Sequence, residues 1–225
     1  MSGLVAFDMD GTLLDGRVIY TIGHKLGFTS EIEKIAKSSK IPYERSRKIA
    51  KLLRGLTVSE FTEIVKAIPL MKGASKTVKQ LKDKNYKVGI ISDSYTLATE
   101  IVARRLKMDF HVANMLKVKN NVITGFLEMP MGWEKIGCHC KQSVCKRYHL
   151  IRLAKEYNLD LSKTVAVGDS IADLCMLESA GIGILFNPKD NNMPTNVNYI
   201  IHGKDLQLIL GYLNTPKEPS PTLRL

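Results

Sequence analysis

Long apolar runs are missing from this 225-residue chain. None approaches the ~20 consecutive apolar residues that a membrane-spanning helix needs, so no bilayer span is expected. Cysteine is scarce. Four in a chain of this length are too few for a disulfide scaffold, and a reducing cytoplasm is the expected setting. The N-terminus lacks a basic leader with an apolar stretch and cleavage site, so export is not expected either. Aromatics, at 7%, are scattered and do not form the stacking surface that single-strand binders use. Acids are outnumbered, 22 Asp and Glu against 33 Lys and Arg, for a net charge of +11. That excess favours anionic partners, whether small phosphates, nucleic acid or acidic lipid, without selecting among them. Repeats are absent, and the only biased segment is the Pro-rich tail 214–225, which is expected to stay unstructured.

What is present is hydrophobic content, 44%, enough for one sizeable core and a smaller attached module. The runs LVAF (4–7), YKVGIIS (86–92), TVAVGD (164–169) and GIGILF (181–186) are short, apolar and bounded by Gly, Asp or Ser, as buried parallel strands are. Between them, segments 74–85, 95–108 and 145–158 repeat apolar residues at three- and four-residue spacing, as amphipathic helices do. This alternation predicts an α/β fold, a doubly wound, Rossmann-like, mostly parallel sheet. Residues 15–69 contain no convincing strand and read as a small helical cap inserted after the first strand. Residues 110–130 read as a β-hairpin about KNN, whose Asn pair tolerates φ > 0. The expected organisation is a core of 1–14 and 70–213, a cap of 15–69 and a tail of 214–225.

In such a sheet, ligands gather at the carboxyl ends of the strands. Those ends carry Asp8 and Asp10, then Ser92, Asp93 and Ser94, then Asp169 and Asp173. Converging acids repel one another unless a hard cation sits among them, and an oxygen-only set without His or Cys suits Mg²⁺.

DMDGT (8–12), ISDS (91–94), a lysine opening the helix before the last motif, and GDSIAD (168–173) resemble, in order and spacing, the four motifs of the haloacid dehalogenase-like superfamily. The helical insert and later hairpin resemble its phosphoserine phosphatase subgroup. The resemblance implies a Mg²⁺-dependent phosphomonoester hydrolase working through an aspartyl-phosphate on a small-molecule substrate. Asp8 would be the nucleophile, Asp10 the acid and base, and Lys146, preferred over Lys141, the charge-balancing lysine. Backbone N–H groups around Met9, Asp10 and Asp93, with Ser92 and Lys146, would cradle the phosphoryl oxygens. The metal set would be Asp8, Asp10 through its carbonyl, Asp169 and, nearby, Asp173. Asp10 also separates phosphate chemistry from the dehalogenase branch.

Three positions depart from the subgroup. Its substrate-binding glutamate matches Arg17 here, its Gly-Gly pair matches Asp93-Ser94, and an Asn of its last motif matches Ala172. Arg17 should repel an amino group and attract a second anion. Segment 34–54, with eight Lys or Arg against Glu44, suits the same kind of substrate if it faces the site and a solvated surface if it does not. Phosphoserine itself, phosphotransfer, and a nucleic-acid-end phosphatase using the basic surface are the competing readings.

Segment 138–149 holds Cys138, His139, Cys140, Cys145 and His149. Zinc sites favour C-x₂₋₄-C pairs, and a C-x-C with a third Cys five positions on fits poorly, so these are read as reduced thiols. Zinc, or a disulfide from Cys138 or Cys140 to Cys145, is the alternative. Trp133 and Tyr148 read as packing residues.

Overall fold

A computed structural model describes residues 1–190, 193 and 195–213; the tail at 214–225 lies outside them. Its elements run β1 (Gly3–Phe7), four helices α1 (Val18–Leu26), α2 (Thr29–Ser38), α3 (Pro42–Leu52) and α4 (Val58–Ala67), then α5 (Ala74–Asp83) and β2 (Tyr86–Tyr95). There follow α6 (Thr96–Leu106), the hairpin β3 (Phe110–Lys119) and β4 (Val122–Glu128), α7 (Trp133–Ile136) and α8 (Lys146–Glu156). The described chain continues with β5 (Thr164–Gly168), α9 (Leu174–Leu177), β6 (Ile182–Phe186) and β7 (Tyr199–Ile201).

The strands form one sheet in the order β4-β3-β2-β1-β5-β6-β7, parallel throughout except for β4. β1 lies at its centre, with Val5 opposite Val88 on one side and Val165 on the other. Alternation along β1 sends Val5 and Phe7 to one face, packed with α5 and α6, and Leu4 and Ala6 to the other, packed with α8 and α9. Both faces are covered, which is why these strands read as unbroken apolar runs. The hairpin turns at Asn120 and Asn121, with φ of 49° and 62°. Asn reaches that left-handed region more readily than most side chains. No helix among the described residues is long and apolar enough to cross a membrane.

The helical insert is tied at its root and again at its far side. At the root, Asp15 N donates to Pro69 O at 2.9 Å and Met71 N to Leu13 O at 2.8 Å. On the far side it pairs with the hairpin. Gly55 N donates to Ile123 O and Ile123 N to Leu56 O, both at 2.9 Å, and Val58 N donates to Asn121 O at 2.9 Å. Leu53, Leu56 and Phe61 of the insert share one buried cluster with Leu116 and Ile123 of the hairpin. Within the insert, α4 starts on a capping box, Thr57 with Glu60, and α3 on Pro42 in its first turn.

Two features lie beyond the sequence reading. β7 extends the parallel sheet by one short strand. β2 does not stop at Ser92 but runs to Tyr95 with a register shift, Ile91 pairing with Val112 and Tyr95 with Asn114. The shift puts the irregular part of the strand at Ser92–Ser94, the stretch that faces the cavity described next.

Candidate active site

Because β1, β2 and β5 are neighbours in register, their carboxyl ends deliver Asp8, Ser92–Ser94 and Asp169 to one spot. A cavity of about 210 Å³ opens there, floored by these residues and walled by Arg17, Ile19 and Tyr20 of the insert's entry and Ser46 and Ile49 of α3.

Lys146, the first residue of α8, is buried at its base. Its Nζ lies 2.6 Å from Asp8 Oδ1 and 2.5 Å from Asp173 Oδ1. Burial works to lower the ammonium's pKa, but Asp173, Asp8 and Asp93 outweigh it and hold it well above the usual lysine value. Lys141 does not reach the cavity; it is exposed, and its carbonyl accepts from Tyr43 N at 3.0 Å.

The other oxygen of Asp173 accepts from Ser170 Oγ at 2.8 Å, Ser170 N at 3.0 Å and Asp169 N at 3.2 Å. Asp173 therefore locks both the lysine and the loop carrying Asp169. Asp169 is buried, with Oδ1 bonded to no group among the described residues and Oδ2 3.3 Å from Arg17 Nη2. Burial raises the pKa of Asp8 well above the usual carboxylate range, with Lys146 opposing and Asp173 and Asp169 reinforcing. Burial and Asp173 raise Asp169 as well.

Asp10 faces the same cavity. Its Oδ1 accepts from Val18 N at 2.9 Å, which anchors the start of α1, and burial pushes its pKa up to about 6. Met9 sends its side chain into the core, while its carbonyl accepts from Leu13 N at 3.0 Å and Leu14 N at 2.9 Å. Gly11 has φ of 90°, and a Cβ there would stand 2.4 Å from Asp169 Oδ2. The glycine of DMDGT thus lets two strand ends approach.

Ser92 is buried, and its Oγ accepts from Ser94 N at 3.2 Å. Asp93 is pushed to about 6 by burial, with Lys146 opposing, and its Oδ1 has no partner among the described residues. Its carbonyl accepts from Asn114 Nδ2 at 2.6 Å, and the same amide donates to Ser143 Oγ at 2.8 Å. Asn114 thereby braces the β2 tip against the loop before Lys146. An isolated Asn in a hairpin strand carried no signal of that role.

Asp8, Asp169 and Asp173 bring carboxylate oxygens within 4.8 Å of one another. Buried acids that close, with one oxygen unpartnered and no soft ligand, fit a hard divalent cation. The basic residues of 34–54 do not line the cavity. Only Ser46 and Ile49 of that segment do, and seven of its eight cations are exposed at the surface.

Residues 5–178 match the family model described as haloacid dehalogenase-like hydrolase. The chain belongs to that family. A phosphoserine phosphatase of Lactococcus lactis subsp. lactis is 35% identical over 219 residues, covering 94% of this chain and 95% of that one. A substrate-bound phosphoserine phosphatase complex superposes with a TM-score of 0.81 at 29% identity, covering 95% of this chain and 99% of the other. A phospho-aspartyl intermediate analogue of phosphoserine phosphatase gives 0.79 at 29%, with the same coverage. Within the haloacid dehalogenase-like hydrolases the chain stands with the phosphatases.

Proposed function

We propose that this cavity hydrolyses a small phosphomonoester bearing a second anionic group. Asp8 attacks phosphorus in line, its oxygen forming the new bond as the ester oxygen leaves, which gives an aspartyl-phosphate. Asp10 protonates the departing alcohol. It then takes a proton from the water that attacks the aspartyl-phosphate, which returns Asp8 and releases inorganic phosphate. Ser92 and the N–H groups of the loop after β1 hold the phosphoryl oxygens, and Lys146 offsets the charge on Asp8 and the phosphate. Mg²⁺ fits the oxygen-only set; Asp8, Asp169 and the Asp10 carbonyl would hold it, and when bound it screens the phosphate's negative charge. Asp173, with both oxygens already accepting from protein donors, acts by fixing Lys146 and the Asp169 loop. The observation that carries the reading is the buried Lys146 shared between Asp8 and Asp173, beside Asp169 and in a cavity walled by the helical insert.

Arg17 supports the second anion. Its Nε is buried at the cavity wall without a partner among the described residues, a donor suited to a substrate carboxylate or a second phosphate. An ammonium group there would meet a guanidinium. The names of the relatives favour phosphoserine as the second reading.

Phosphate release with Mg²⁺ across phosphoserine, phosphoglycolate, phosphoglycerates, sugar phosphates and nucleotides tests both. The amine-free acids should be turned over fastest, and Arg17→Glu should shift preference toward phosphoserine by at least about 10-fold, one reversed charge contact. Phosphoserine outpacing every amine-free analogue in the unmodified enzyme refutes the role given to Arg17. No phosphate from any of them refutes the hydrolase reading.

A further inference from the structure

All four cysteines of the chain, Cys138, Cys140, Cys145 and Cys175, meet at one point, their Sγ atoms all within 4.8 Å of one another. They are free thiols, and Cys145 is buried. The sequence offered only the first three, at a spacing poor for zinc, because the fourth comes from α9, thirty residues on. The fold supplies it.

We propose that these four sulfurs form a structural zinc site, separate from the catalytic cavity. In a tetrahedral tetrathiolate with Zn–S of about 2.3 Å, neighbouring sulfurs stand about 3.8 Å apart, which the cluster meets with only small adjustments. A disulfide would draw two sulfurs to about 2 Å and leave the others aside, whereas here one point lies within reach of all four. Thiolates are soft ligands, and a complete set of four closes the coordination shell, as structural sites do.

The location says what the ion does. Residues 137–145, between α7 and α8, have no regular structure beyond a single bridge, Met131 with Val144. The loop's last residue, Cys145, immediately precedes Lys146, and Cys175 lies two residues after Asp173. The zinc staple therefore joins the same two segments that the Lys146–Asp173 pair joins, from outside the catalytic cavity. The loop also receives the insert, since Tyr43 N donates to Lys141 O and the Tyr43 ring stacks on Trp133 at 6.0 Å. A metal that fixes this loop fixes the seat of Lys146 and the docking point of α3 together.

The full chain, produced with zinc in the medium and purified reduced, is assayed for metal by mass spectrometry. About one zinc per chain is expected, falling more than ~10-fold in Cys140→Ser and in Cys175→Ser. Because those variants can misfold, the wild type is also stripped and reloaded with Co²⁺, and the intense visible and near-ultraviolet bands of tetrahedral cobalt thiolate are expected. Asp8→Asn should keep its zinc, so failure of the catalytic proposal and failure of this one are read separately. Zinc absent after expression, together with no cobalt thiolate bands after reloading with Co²⁺, overturns the proposal. So does full zinc in both serine variants, or iron in place of zinc.

Discussion

Lys146 and Asp8, 138 residues apart in sequence, lie 2.6 Å apart in the structure, and the same ammonium reaches Asp173 at 2.5 Å. One buried cation thus holds the tip of the central strand to the loop after β5. Removing it strands two buried carboxylates. Lys146→Ala should lower kcat by about 100-fold or more and lower stability by about 3–5 kcal/mol, the cost of breaking a buried pair. Steady-state kinetics beside urea denaturation check both; lost activity with unchanged stability would contradict the structural half.

The two acids of DMDGT should separate by kinetic step. Asp8→Asn is expected to abolish turnover while leaving the circular dichroism of the fold intact. Asp10→Asn should slow both formation and breakdown of the aspartyl-phosphate by about 10²–10⁴. Rapid-quench measurement of each half-reaction distinguishes them, and a change confined to one half would remove Asp10 from the other.

Omitting Mg²⁺ after exhaustive desalting should silence the enzyme reversibly, with activity returning on adding Mg²⁺ and not on adding Na⁺. Full turnover without a divalent ion would contradict the role given to Asp8 and Asp169.

Asp109 gives a pH test away from the cavity. Partial burial works to raise its pKa, but the Val88 N–H at 2.9 Å and Lys82 at 3.2 Å hold it below the usual carboxylate value. A folded value below the unfolded one gives stability that is complete above the unfolded pKa of about 3.9 and is lost as pH falls through the folded value. Asp109→Asn should therefore cost about 1 kcal/mol at pH 7 and progressively less below about pH 4. Denaturation curves at several pH values check this; an equal cost at every pH would assign the effect to packing.

The sequence made the core legible where physics leaves a local mark. Val5–Phe7 and Val165–Val167 are apolar at every position because both faces of the sheet are covered, and Asn120–Asn121 announce a turn by tolerating positive φ. Asp8, Asp10 and Asp169 were legible as acids at strand ends, where a parallel sheet gathers its ligands. What escaped depends on direction or on distant neighbours. β7 is only three residues long and has no periodicity to read. Asn114 matters because of what β2 and residue 143 bring to it. The basic residues of 34–54 were countable, but their composition did not reveal that none of them lines the cavity. Cys175 joins its partners only once α9 packs beside α8.

The backbone bonds from Gly55, Leu56 and Val58 to Asn121 of the hairpin turn and Ile123 of β4 have a mechanical consequence. The insert cannot swing as a free flap. To admit substrate it must either pull the ribbon of β3 and β4 along or unzip from it, so the pace of entry and exit is set partly by that seam. Substitutions at Ile123, buried and outside the cavity lining, should change how fast the enzyme breathes before they change what it does chemically.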